Sequence, residues 1–159
     1  MASSTEAPAP PAELSPGELA AWRGLLRVHA ALMKALDAEL ESEHGLPLTS
    51  YEVLLFLRAA PGGRLRMADL ADRVLLSRSG MTRLVDRLER DGLIARAQCP
   101  RDARGCFAVL TPDGEAVLER ARPTHLGGIR ERFLRHFSAQ ELEHLAGCWD
   151  RVVPGAAQV

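Results

Sequence analysis

Along the first third of the chain, positions Leu19, Trp22, Leu26, His29, Met33, Leu36 and Leu40 follow one another at alternating intervals of three and four. That spacing puts them on one face of an α-helix, and Leu25 and Leu32 widen the stripe. The helix has a definite start. Ser15-Pro16-Gly17-Glu18 combines an N-cap hydroxyl, a proline at the first helical position and a glutamate placed to complete a capping box. Gly45, after His44, supplies the left-handed stop. At 1.5 Å per residue such a helix is roughly 40 Å long, more than one small core can cover. Its stripe therefore calls for a partner.

The next apolar run, YEVLLFLRAA, follows Thr49 and Glu52, which are spaced as a capping box, and stops at Pro61-Gly62-Gly63. A short helix is predicted over about 67–74. Ser77 then caps a helix to about Asp91, where Gly92 ends it and Leu88 and Leu93 occupy the two positions a Schellman motif brings together. Residues 93–98 and 106–110 read as short strands. Thr111-Pro112 opens another helix, which Pro123 is expected to kink or split. Leu126, Ile129, Phe133 and Phe137 continue its apolar face. Ser138 and Glu141 form a further capping box, ahead of a last helix carrying Leu142, Leu145, Trp149 and Val152 on one side.

The order is long helix, helix, short helix, helix, hairpin, helices. It predicts a mainly α protein with a small β-hairpin wing, a winged helix-turn-helix framed by N- and C-terminal dimerisation helices. The divisions expected are a disordered Ala-, Pro- and Ser-rich tail over 1–14, a DNA-binding lobe over 46–111, a dimerisation region over 15–45 and 112–153, and a C-terminal tail over 154–159. The stripes assign Leu19, Trp22, Leu26, Met33, Phe133, Leu142, Leu145 and Trp149 to a homodimer interface.

Charge sharpens this division. Net charge is −1, which alone would argue against a nucleic-acid binder. From Arg58 to Arg104, however, 11 arginines stand against 6 acidic residues, while the rest of the chain is acidic on balance. A basic middle between acidic flanks fits a module that faces a polyanion. Nothing resembles a secretory leader or a 20-residue apolar span, so a cytoplasmic protein without a membrane segment is expected.

Within 77–91, Met81, Leu84, Val85 and Leu88 make the buried face, leaving Ser79, Arg83, Asp86 and Arg90 opposite, with Thr82 and Arg87 on the shoulders. Hydroxyls and arginines near a helix start suit insertion into a major groove, where arginine can take guanine O6 and N7 together. The same face would serve as an ordinary solvated surface if Arg83–Asp86 and Asp86–Arg90 pairs neutralised it. The short helix before it and the arginine-rich hairpin after it favour the first reading. In CPRDARGC, residues 99–106, the tip can project Arg104 into a minor groove, with Asp102 orienting it and Arg101 beside it.

The cysteines offer little else. Cys99 and Cys106, with six residues between them and no nearby histidine or third thiol, do not make a zinc site. A disulfide would require the hairpin register to pair them, and that pairing is the basis of the alternative function, a thiol redox sensor on the wing. Cys148 reads as a small apolar residue of the last helix. No phosphate loop, C-x-x-C, H-E-x-x-H or G-x-S-x-G motif occurs, so an enzyme, a metal or a cofactor is not expected.

Ser77-Arg78-Ser79-Gly80-Met81-Thr82-Arg83-Leu84-Val85-Asp86-Arg87-Leu88-Glu89, Asp91-Gly92-Leu93, Asp102-Ala103-Arg104-Gly105 and Leu110-Thr111-Pro112-Asp113-Gly114 together resemble the multiple-antibiotic-resistance regulator (MarR) family. The likeness extends over about 19–152. It implies a homodimeric transcription factor, most often a repressor of pseudo-palindromic operators, released in some members by a small, often aromatic, ligand. By position it implies that Ser77, Arg78, Ser79, Thr82, Arg83 and Arg87 serve the recognition helix and that Arg101, Asp102 and Arg104 serve the wing, on double-stranded DNA. Ligands in such proteins sit between the lobe and the dimerisation helices. Trp22, His29, Tyr51 and His125 are the candidates for lining such a pocket, although Trp22 and His29 also fit an apolar stripe. The peroxide-sensing branch uses a cysteine near the N-terminus, and this chain has none before Cys99.

Overall fold

The computed structural model describes residues 13–74, 76–99 and 102–156. Its elements are α1 (Pro16–His44), α2 (Leu48–Ala59), a 3-10 turn (Pro61–Gly63), β1 (Arg64–Arg66), α3 (Met67–Val74) and α4 (Arg78–Arg90). Then come β2 (Ile94–Cys99), β3 (Asp102–Leu110), α5 (Pro112–Arg132), a second 3-10 turn (Leu134–His136) and α6 (Ala139–Val152). The fold is mainly helical, with one antiparallel sheet in the order β1-β3-β2. Among the described residues no helix is long and apolar enough to cross a membrane.

The chain divides into two compact units, 1–31 and 32–159, with α1 running through the boundary. In the first unit the predicted capping box forms: the Ser15 amide donates to Glu18 Oε2 at 2.8 Å and the Glu18 amide to Ser15 Oγ at 3.3 Å. That bonding holds the Glu18 carboxyl below the usual carboxylate range. Trp22, Leu25, Leu26 and Val28 are all exposed here. The tail assigned to 1–14 lies outside the described residues except for Glu13 and Leu14, and so do 157–159 of the C-terminal tail.

The second unit holds the core. Leu36 and Leu40 of α1 pack with Leu54 and Leu57 of α2, Leu70 of α3, Val85 and Leu88 of α4, Ile94 of β2 and Leu118 of α5. The last turns of the α1 stripe belong to the chain's own core, and Met33 is half-buried against that core.

Three expectations need correcting. The Thr49–Glu52 box does not form, because α2 starts at Leu48 behind Pro47. The Pro47 carbonyl accepts from the Ser50 and Tyr51 amides at 2.9 and 3.0 Å, and Asp37 Oδ1 accepts from the Leu48 amide at 2.8 Å. A carboxylate on α1 thus caps α2, a long-range bond that no local motif encodes. Pro123 does not split α5, which continues to Arg132. Burial of Leu118 and Ala121, together with the ion pairs Arg58–Glu119 and Arg132–Glu39 around the proline, holds the helix together, and the break comes at Phe133. The hairpin strands are also longer than predicted. They reach Cys99 and Asp102, so Arg104 lies on β3 rather than in the turn.

The predicted stop of α4 does form. The Leu93 amide donates to the Leu88 carbonyl at 2.9 Å and the Gly92 amide to the Glu89 carbonyl at 3.0 Å, with Gly92 at φ 75°. The Ser138–Glu141 box opens α6 as predicted, and no residue of α6 is buried.

Candidate nucleic-acid interface

Helices α3 and α4 meet across the segment at 75–77. Ser77 ends it as N-cap, its Oγ accepting from the Gly80 amide at 3.1 Å and lying 3.2 Å from Ser79 Oγ. Leu70 and Ala71 are buried on α3, and Met81, Leu84, Val85 and Leu88 on α4, which fixes the rotation of α4 as the sequence pattern required. Ser79, Thr82, Arg83, Arg87 and Arg90 are exposed. Arg78 starts the helix, but its side chain lies outside the described ones.

The acidic residues of α4 do not neutralise its arginines. None of the ion pairs among the described residues involves Arg83 or Arg90. Asp86 and Glu89 instead hold Arg96 of β2, at 2.5 and 3.0 Å, and the Arg96 amide also donates to Glu89 Oε1 at 3.3 Å. The hydrogen bond with Asp86 pushes the Arg96 guanidinium pKa further up. Arg96 was missed in the sequence reading, and only a strand register could have placed it beside α4. It fastens β2 to α4 and engages the carboxylate that shares the outward face of that helix with Arg83.

Arg87 is placed differently. Its Nη2 donates to Ser50 Oγ, 3.1 Å away in the first turn of α2. With Thr49, Leu76, Gly80, Arg83 and Leu84 it lines a notch of about 260 Å³ between α2 and α4. Two further cations missed from the sequence, Arg64 and Arg66 of β1, lie 5.3 and 5.7 Å from the centre of the Phe107 ring on the neighbouring strand.

On the wing, Arg101 lies outside the described residues, as do the side chains of Asp102 and Arg104. The backbone register is clear. Cys106 faces Gln98 and Cys99 faces Asp102, with an irregularity between Gln98 and Cys99. The pairing of Cys99 with Cys106 that a hairpin disulfide required is not the one formed. Cys106 and Cys148 are free thiols.

The four proposed pocket residues separate into two kinds. Trp22 and His29 are exposed on the first unit. Tyr51 and His125 meet inside the second, with ring centroids 4.4 Å apart and planes tilted by 44°. Burial lowers the His125 pKa and raises that of Tyr51. His125 Nδ1 is buried without a hydrogen-bond partner. An open cavity lies elsewhere: about 520 Å³, lined by Met33, Lys34, Asp37, Pro47, Glu52 and Arg87 among others, which brings α1, α2 and α4 to one place.

Of the residues assigned to an interface, Trp22 and Leu26 are about half exposed and Trp149 is exposed on α6, as is Val152 of the same helix. Leu19, Leu142 and Leu145 are half-buried. Phe133 packs on Phe137 at 5.1 Å.

Comparison with known proteins places this geometry. Residues 44–105 match the family model described as MarR family. The HTH-type transcriptional regulator YkoM of Bacillus subtilis is 32% identical over 112 residues, covering 69% of this chain and 71% of the relative. The homoprotocatechuate degradative operon repressor of Escherichia coli is 27% identical over 121 residues, 72% of this chain and 80% of the relative. A MarR family transcriptional regulator of Streptomyces coelicolor, solved in complex with DNA, superposes with a TM-score of 0.84 at 33% identity, covering 94% of this chain and 93% of that one.

Proposed function

This chain belongs to the MarR family of DNA-binding transcriptional regulators, and on that footing we propose that it is a homodimeric repressor of pseudo-palindromic operators. The observation that carries the reading is the exposed N-terminal half of α4. Ser79, Thr82 and Arg83 face outward there, while Asp86 and Glu89 are occupied by Arg96. A guanidinium whose neighbouring carboxylate is engaged elsewhere can take guanine O6 and N7, and the neighbouring hydroxyls reach base edges or phosphates. Arg104 on β3 is the minor-groove residue in this reading, with Asp102 and Arg101 serving it.

Dimerisation is supported by the apolar surface left uncovered, Trp22, Leu25 and Leu26 on α1 and Trp149 and Val152 on α6. Repression is supported by the repressor named among the relatives. Release by a small aromatic ligand is supported by the 520 Å³ cavity, where Met33, Pro47 and Leu48 give an apolar wall and Lys34 and Arg87 stand alongside Asp37 and Glu52. The cavity touches the recognition helix through Arg87, so an occupant bears directly on the DNA-reading element.

Selection of bound duplexes from a random library, with Arg104→Ala alongside, tests the reading. A two-fold motif recovered by the wild type and lost by the variant is the expected result. Recovery of no motif at low salt under reducing conditions, with and without aromatic carboxylates, would overturn it.

A further inference from the structure

Ser50 is the one polar side chain fully buried among the described residues, at 1% exposure. It stands between Leu48 and Tyr51, both buried as well, where an alanine would pack without leaving a hydroxyl to be satisfied. What its Oγ does is accept from Arg87 Nη2 at 3.1 Å. That bond spans two helices and directs the Arg87 guanidinium toward α2 rather than outward along α4.

The consequence is a shaped cationic recess. Arg83 and Arg87 are four residues apart on α4 and therefore neighbours on its surface, an arrangement that is mildly unfavourable in the free protein. Both line the notch of about 260 Å³, with Thr49 opposite them and no carboxylate among the described residues of its wall. One of the five donors of Arg87 is used on Ser50, and the remainder stay available. A tetrahedral oxyanion suits this set better than a base edge. The guanidinium fork matches phosphate oxygens, a hydroxyl can donate beside it, and two cations four residues apart are relieved by one anion.

We propose that the notch between α2 and α4 is the seat of a DNA backbone phosphate, and that Ser50 is the positioning residue that holds Arg87 in place for it. The proposal rests on the DNA-binding reading and adds α2 to the contacting surface through Thr49. Because a phosphate contact carries no sequence information, the seat acts equally on every duplex and sets the register of α4 in the groove.

The test uses the full-length wild type, Ser50→Ala, Arg87→Ala and the double variant. Fluorescence anisotropy is measured on a mixed-sequence duplex of roughly three helical turns, and on the duplex the wild type selects, between about 50 and 200 mM salt. Each single variant is expected to weaken binding to both duplexes by about the same factor. Each should also reduce the slope of log K against log salt by about one per protomer. The double variant should bind no more weakly than Arg87→Ala, since Ser50 acts through Arg87. A Ser50→Ala slope equal to wild type while Arg87→Ala lowers it, or losses that add in the double variant, would overturn the assignment. Should Ser50→Ala melt early, Thr49→Val at an exposed position carries the test, with weaker binding to both duplexes expected and unchanged binding refuting the seat. A wild type that binds neither duplex removes the DNA-binding reading itself, a result distinct from any of these.

Discussion

Gly114 sits where the wing, the recognition helix and α5 are tied together, and its replacement by alanine has a predictable cost. Its amide donates to Thr111 Oγ1 at 3.0 Å, and that hydroxyl donates to the Gly92 carbonyl at 2.7 Å. The Leu93 carbonyl accepts from the Thr111 amide at 3.2 Å, while the Leu93 amide is held by Leu88. A Cβ on Gly114 would lie 2.1 Å from the Leu93 oxygen, 3.0 Å from its carbon and 2.8 Å from Leu110 Cδ1. The leucine methyl can turn aside. The carbonyl cannot, because moving it about an ångström stretches its bond to Thr111 and disturbs the Schellman end of α4. Overpacking of this kind costs about 1–3 kcal/mol, and a weakened hydrogen bond adds about 0.5–1.5 kcal/mol. The better helix propensity of alanine returns at most ~1 kcal/mol. The net is a loss of about 2–3 kcal/mol, or a melting temperature lower by roughly 4–12 °C for a chain of this size. Circular dichroism melts at one fixed protein concentration measure it, since a dimer's midpoint moves with concentration. Gly127→Ala is the control. It lies in the same helix with nothing within 4 Å of its would-be Cβ, and alanine there should stabilise by up to ~1 kcal/mol. If Gly114→Ala melts at or above the wild type, the close approach of α5 to the end of α4 is wrong.

Three further outcomes follow from the same geometry. Arg83→Ala should cost about 1–3 kcal/mol on the selected duplex and relax preference at one base position, whereas an even loss across all sequences would assign Arg83 to phosphate only. Leu26→Glu, at an exposed position of the α1 stripe, should yield a folded monomer in sedimentation, and an unchanged dimer would remove that stripe from the interface. His125 has a folded-state pKa below its unfolded value, so the unfolded chain binds more protons between the two. Stability is then full above the unfolded value of about 6.5 and is lost as pH falls through the lowered value. Urea titrations from pH 7.5 downward should show this decline for the wild type and a shallower one for His125→Phe, which keeps a ring against Tyr51. Parallel curves would contradict the burial of the imidazole.

Features written in local spacing were legible from the sequence. The caps at Ser15, Ser77, Thr111 and Ser138, the Gly92 stop and the buried face of α4 each depend on residues within one or two turns, and all appear in the structure. Features that need two distant segments were not. Asp37 capping α2, Arg96 binding Asp86 and Glu89, and Ser50 holding Arg87 join residues 7 to 37 positions apart. β1 is three residues long and exists through its pairing with β3, so no periodicity announces it. Pro123 misled for a related reason: a proline's local cost is visible in sequence, while the packing and ion pairs that override it are tertiary. Tyr51 and His125, named from the sequence as candidates to line a ligand pocket, lie against each other in the second unit, a contact between residues far apart in the chain that no local pattern encodes.

In the proposed dimer two copies of α4 read one duplex in adjacent turns of the groove. Hydroxyl-radical footprinting of the full-length protein on its selected duplex, with the stoichiometry of the complex measured by sedimentation, tests it most directly. Two protomers per duplex and two symmetric protected patches about one helical turn, roughly 10 bp, apart are the expected result. A single asymmetric patch carrying one protomer would contradict it.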